Sequence, residues 1–86
     1  MAWKLIISDT AEKQLSKLDR SVSTAAKKYL SEVCQLKDPA ARGHSLTGQW
    51  GGFHRYRVGQ LRLIVSIDRN VLTVMLVTIG RRDSVY

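Results

Sequence analysis

Apolar positions divide the chain into short strand-like and helix-like stretches. It opens with "AWKLIIS", where Leu5, Ile6 and Ile7 stand side by side, which reads as a short strand apolar on both faces. The period then changes. In "SDTAEKQLSKL", Ala11, Leu15 and Leu18 recur at helical spacing. Asp9 followed by Glu12 has the spacing of a capping box, so a helix is predicted to start there. A break near "DRS" introduces a second helix, capped by Asp19 or Ser21, with Val22, Ala26, Tyr29, Leu30, Val33 and Leu36 along one stripe. Pro39 and Gly43 in "KDPAARG" end that helix. A connector, "DPAARGHSLTGQWGG", spans residues 38–52. Three strands are predicted after it, at about 53–58, 61–68 and 71–79, followed by the tail "GRRDSVY".

A strand, two helices and three closely joined strands predict an α+β fold, with an antiparallel meander and the helices packed on one face of the sheet. The 86 residues contain no internal repeat, low-complexity tract or linker, so a single domain over 1–86 is expected. Its core should be thin, because a chain of this size buries only about 60% of its unfolded surface.

The stretch "FHRYRVGQLRLIVSI" sets a geometric problem, since it places Arg55, Arg57 and Arg62 among aliphatic strand residues. Gly59-Gln60 suits a two-residue hairpin turn of the type with glycine first. Val58 then pairs with Leu61, Arg57 with Arg62, Tyr56 with Leu63 and Arg55 with Ile64. Alternation puts His54, Tyr56, Val58, Leu61, Leu63, Val65 and Ile67 under the helices, and Phe53, Arg55, Arg57, Arg62, Ile64 and Ser66 on the other face. Like charges directly opposite one another destabilise a sheet. Two readings follow: a polyanion site, or solvated arginines whose stems cover apolar neighbours. A second turn centred on Arg69-Asn70 would set Ser66 against Thr73, Ile64 against Met75 and Arg62 against Val77. Either Arg81 or Arg82 would then lie near Arg62, and Arg69 is a loop charge.

Charge sharpens the choice. Fourteen Lys and Arg against seven acids leave a net charge of +7, which favours a polyanionic partner, nucleic acid first. All six lysines lie within residues 1–43, whereas residues 44–86 carry six arginines and no lysine. Arginine presents a planar fork suited to phosphate. The single Cys34 excludes an intramolecular disulfide and a thiolate zinc cluster, and reads as core; a reducing cytoplasm is the natural setting. No apolar run approaches the roughly 18 residues of a membrane span, and the opening run is too short for a signal peptide. No HExxH, CxxC or glycine-rich phosphate loop is present, so neither a metal nor a nucleotide cofactor is expected. His54 falls on the helix-covered face, as a hydrogen-bonded core or rim histidine. His44 sits in the connector without an identifiable partner, and Trp3 and Trp50 read as packing residues.

Taken in order, "LTGQWGGFHRYRVGQLRLIVSI" and "IGRRDSVY" resemble the RelE/ParE superfamily of bacterial toxin–antitoxin toxins. The pieces are Leu46-Thr47-Gly48, the run "RVGQLR" from Arg57 to Arg62, the Gly-x-Arg of Gly80 to Arg82, and the final Val85-Tyr86. The likeness covers nearly the whole chain and is nearest to the RelE-like branch. It implies a ribosome-dependent mRNA endonuclease acting in the ribosomal A site without metal or cofactor. The ribose 2′-OH would attack the adjacent phosphate, leaving a 2′,3′-cyclic phosphate and a 5′-OH. On this resemblance the catalytic residues are Arg55, Arg62, Arg82 and Tyr86, with Arg62 on the scissile phosphate; Arg57 and Arg81 are supporting RNA contacts. The implied partners are the ribosome, mRNA and an acidic, RelB-like antitoxin that covers the arginine face or displaces the C-terminal segment.

The chain departs from the pattern at Arg55, where the family often has lysine, and at Phe53, where close relatives carry another basic residue. Arginine does not deprotonate near neutral pH, so the general base is unassigned. Tyr86 fits that role if neighbouring arginines stabilise its phenolate. Activity is expected to be weak or to lean on positioning by the ribosome. Two alternatives stay open: a ParE-like inhibitor of DNA gyrase, and a basic RNA-binding module without catalysis.

Overall fold

A computed structural model describes residues 3–81. Strand β1 (Lys4–Ile7) leads into helices α1 (Asp9–Ser16) and α2 (Arg20–Val33). A connector with two 3₁₀ turns, Pro39–Ala41 and Gly48–Trp50, brackets the short strand β2 (His44–Ser45). Strands β3 (His54–Val58), β4 (Leu61–Asp68) and β5 (Thr73–Arg81) complete one five-stranded sheet of order β1-β5-β4-β3-β2. The expected meander is present as β3, β4 and β5, and β1 adds to it in parallel alongside β5. The sequence reading missed β2, because a two-residue polar strand leaves no alternation to detect.

The helices close over one face of the sheet. Ala11 and Leu15 of α1 and Ala26, Leu30 and Val33 of α2 are buried against Tyr56, Leu61, Leu63, Val65, Val74 and Leu76. Trp3 joins this core, and its indole Nε1–H donates to the Lys37 carbonyl at 3.2 Å. Cys34 is buried as expected, and burial pushes its thiol pKa upward. Helix α1 is capped one residue earlier than the spacing implied: the Ser8 hydroxyl accepts from the Ala11 N–H at 3.1 Å and donates to the Val77 carbonyl at 2.7 Å. Asp19 precedes α2 without a side-chain cap bond. That helix ends at Val33, ahead of the Pro39 region, and Val22 of its stripe is left exposed.

The first hairpin has the predicted register, with Val58 opposite Leu61, Arg57 opposite Arg62 and Arg55 opposite Ile64. Gly59 takes φ +57, the left-handed value that a glycine-first turn requires. The second hairpin differs. Asp68 faces Thr73, so four residues form the loop, and the Asn70 N–H donates to the Asp68 side chain at 2.9 Å in an Asx turn. Leu72 closes this loop with φ +47. Ser66 therefore faces Met75 rather than Thr73.

A bulge between Ile64 and Val65 then moves the register again, so that Ile64 faces Thr78 and Arg62 faces Gly80. Bulges leave backbone groups outside the ladder. The cap of α1 meets the bulged residue Val77, and α1 itself holds Ile79, whose backbone faces the side where β1 has ended. Ser8 binds the Val77 carbonyl, the Gln14 side-chain oxygen accepts from the Ile79 N–H at 2.8 Å, and the Gln14 amide donates to the Ile79 carbonyl at 3.2 Å.

Candidate functional site: an arginine-lined hollow at the sheet edge

Strand β3 does two jobs at alternate positions. Its inward residues His54 and Tyr56 are buried, while Arg55 and Arg57 point to the uncovered face. The inward pair holds the connector. The His54 ring Nε2 is hydrogen-bonded to the Arg42 carbonyl, and the Tyr56 hydroxyl donates to the Pro39 carbonyl at 2.7 Å. Burial pushes the Tyr56 phenol far above its ordinary pKa, which keeps it a donor to that carbonyl. The expected placement of His54 as a hydrogen-bonded residue under the helices is thus found in the structure.

Two further contacts pin the same connector. Arg42 pairs with Glu32 at 3.6 Å and its guanidinium lies 5.5 Å from the Tyr29 ring centroid. Arg69 pairs with Asp38 at 3.1 Å, which gives that loop charge a structural role. The Asp38 carboxyl is held below its ordinary pKa, first by the Ala40 N–H and then by Arg69.

Gly43 brings the connector against β3. It has φ +76, and a Cβ there would lie 2.2 Å from the Arg55 carbonyl oxygen and 2.8 Å from the Tyr56 ring. Only glycine accepts that approach without displacement. The next residue, His44, pairs directly with Arg55, and Ser45 pairs with His54. The Leu46 N–H extends this short ladder to the Phe53 carbonyl at 3.0 Å.

Beyond the end of β2 the sheet edge opens into a hollow of about 300 Å³, lined by Tyr29, Gly43, His44, Arg55, Arg57 and Arg62. Three guanidiniums from two strands share it, Arg55 and Arg62 half-buried and Arg57 exposed. Among the described residues lining it there is no carboxylate. With three fixed cations and one imidazole, the donor set suits an anion and does not suit a metal ion. Among the described residues no group of three or more His, Cys, Asp or Glu gathers anywhere.

Of the site residues read from the sequence, the structure brings Arg55, Arg57 and Arg62 together. Arg81 is placed differently. The bulge sets it opposite Leu61, and it lines a separate hollow of about 460 Å³ on the helix side, with Lys17, Leu18, Val22 and Val58. Arg82 and Tyr86 lie outside the described residues. Sequence reasoning missed Tyr29 and His44. Tyr29 belongs to the apolar stripe of the second helix, yet it also reaches the edge of the site. The available signal for His44 was Gly43, a glycine immediately before a polar pair.

Two helices on one face of a mixed five-stranded sheet, with a cationic hollow at its edge, define a small α+β domain. A family model described as the ParE toxin of the type II toxin–antitoxin system parDE matches residues 5–86. The chain therefore belongs to this family, within the RelE/ParE superfamily, and is a toxin of a type II toxin–antitoxin system. Solved structures share its fold. The toxin–antitoxin complex RelBE2 from Mycobacterium tuberculosis superposes with a TM-score of 0.85 at 23% identity, covering 95% of this chain and 93% of that one. A free double-arginine mutant of E. coli RelE gives 0.79 at 24% identity, covering 96% and 86%. The RelE–RelB complex of Pyrococcus horikoshii gives 0.79 at 18% identity, covering 96% and 98%. No curated protein sequence gives a significant match.

Proposed function

We propose that this toxin is a metal-independent endoribonuclease that cleaves mRNA on the ribosome. One observation carries the reading: guanidiniums of Arg55, Arg57 and Arg62 line a single hollow, where folding alone would favour keeping like charges apart. Attack of a ribose 2′-OH on the neighbouring phosphate builds negative charge on the equatorial oxygens. Fixed guanidiniums aimed at that charge lower the barrier electrostatically. In this reading Arg62 and Arg55 hold the scissile phosphate, Arg57 extends the contact along the backbone, and Arg82 and Tyr86 complete the catalytic set. Arg81 serves as an outlying RNA contact.

The partner that silences it is an acidic antitoxin of the RelB kind, in line with the RelB-bound toxins that share the fold. No helix among the described residues is long and apolar enough to cross a membrane. The proposed place of action is the cytoplasm, where messages are translated. Primer extension on a translated message tests the proposal. The wild type gives cuts within the ribosomal A site, and Arg62→Ala removes them; a wild type that leaves messages intact would refute it.

One observation favours a second reading. The matching family model is that of ParE, and the ParE-like alternative is inhibition of DNA gyrase. A poison of that kind has no need of an RNA-cleaving constellation. Loss of supercoiling with purified toxin, while translated messages stay whole, would select it.

A further inference from the structure

We infer that His44 is the proton-accepting catalytic residue of the arginine-lined hollow; the inference rests on the RNA-cleaving reading above. Cleavage needs a group that removes the proton from the attacking 2′-OH. The three guanidiniums are fixed cations with donors only, so they serve as phosphate contacts and not as proton acceptors. His44 brings an imidazole to the lining, the side chain most often used as a general base. Tyr86, the other group that the family resemblance offers, lies outside the described residues.

The geometry places His44 where such a base is needed. It pairs directly with Arg55, so the two side chains rise from the same sheet face with Cβ atoms about 5 Å apart. The same hollow is lined by Arg57 from β3, Arg62 from β4 and Tyr29 from α2, the charged and titratable groups that face the imidazole. His44 itself is exposed, open to a docking strand. Its backbone is nonetheless held on both sides. Gly43 is wedged against the Arg55 carbonyl, the preceding Arg42 carbonyl is bound by His54, and Ser45 pairs with His54. An imidazole on a held backbone, in the same hollow as the three guanidiniums, can reach the 2′-OH of a phosphate bound there.

The step balances. The imidazole takes the 2′-OH proton as the O2′–P bond forms and the P–O5′ bond breaks. The electron pair of the broken bond goes to O5′, which is protonated by water, and the imidazolium returns its proton to solvent. No oxidant, metal or further reactant is required.

The test is single-turnover cleavage of mRNA on pre-formed ribosome complexes across pH 5.5–8.5, with wild type, His44→Ala, His44→Gln and Arg62→Ala. His44→Ala and His44→Gln should slow cleavage by roughly 10²–10⁴-fold. Both should flatten the acid-side fall of the wild-type profile, and added imidazole should partly restore His44→Ala. Arg62→Ala should give no cuts at any pH, because it loses the phosphate contact rather than the proton acceptor. If the histidine variants cleave at the wild-type rate with an unchanged profile while Arg62→Ala is inactive, the assignment of His44 is overturned and the nuclease reading stands. If the wild type itself does not cleave, both fall together. Should His44→Ala fail to fold, His44→Gln carries the same comparison.

Discussion

Replacing Arg57 by threonine should stabilise the free protein while weakening its hold on RNA. The pair Arg57–Arg62 lies one step from the Val58–Leu61 pair that closes the two-residue turn. Pairs at that position lack mutual backbone bonds and bring their Cα atoms to about 4.5 Å, so the side chains crowd. Guanidinium centres splayed about 7 Å apart, at an effective dielectric constant between about 40 and 80, repel by about 0.6–1.2 kcal/mol. Cross-strand like-charge terms measured in sheets have the same size. Arg57 is exposed and Arg62 half-buried, so solvent screens the interaction from one side and the lower half of that range applies.

Threonine also has the better strand propensity at an exposed position. Together these effects predict a gain of about 0.5–1 kcal/mol, or roughly 3–6 °C in Tm for a domain of this size. Salt separates the contributions. Raising sodium chloride from about 50 to 500 mM shortens the Debye length from about 14 to 4 Å, so the wild type should gain more stability than Arg57→Thr over that interval. Thermal melts at the two salt concentrations measure both terms. A variant that melts below the wild type, or one with the same salt response, would refute the claim that the site carries stored repulsion.

Three further perturbations probe the elements that support the hollow. Gly43→Ala places a methyl group 2.2 Å from the Arg55 carbonyl oxygen at φ +76; it should cost about 1–3 kcal/mol in urea unfolding and displace His44, and a wild-type midpoint would contradict this. Gln14→Ala removes the partners of the Ile79 N–H and C=O, two residues past the bulge; a loss of about 1–3 kcal/mol is expected, with faster hydrogen exchange at the Ile79 amide, and unchanged exchange would show that the glutamine is dispensable. Burial raises the Tyr56 pKa in the folded state, so its contribution is complete below the unfolded phenol value of about 10 and is lost as pH rises beyond it. Tyr56→Phe should therefore be less stable at neutral pH but lose stability more gently between pH 9 and 11; parallel Tm curves would oppose this.

Much of the site was visible in the sequence, because a two-residue turn fixes both register and facing. Once Gly59-Gln60 is read as the turn, the alternation of "HRYRV" with "LRLIV" sends three arginines to one face and four core residues to the other. The second hairpin escaped the same logic because "DRNVL" makes its turn through the Asp68 side chain and a left-handed Leu72, a conformation that leucine rarely adopts. The bulge on β5 was equally hidden: the side chain that meets its extra residue Val77 is Ser8, 69 residues away in the chain. That displacement is what moved Arg81 to the helix side. His44 escaped because its strand partner is defined by tertiary packing at Gly43 rather than by any local pattern.

The connector shows how a small core can hold a polar site. A chain of this size has few apolar residues with which to anchor a loop, and residues 38–45 contribute only Pro39 to the buried set. The anchoring is polar instead. Two carbonyls of the connector, at Pro39 and Arg42, are bound by the buried side chains of Tyr56 and His54 in β3, and the alternate residues of that strand, Arg55 and Arg57, face the uncovered side. Each inward hydrogen bond therefore fixes a loop position relative to an outward arginine through a single rigid strand. The distance from Tyr56 or His54 to the hollow is one residue of backbone, so a change in their bonding reaches the guanidiniums without passing through the rest of the core. Anchoring of the connector and placement of the arginines therefore meet in the five residues of β3.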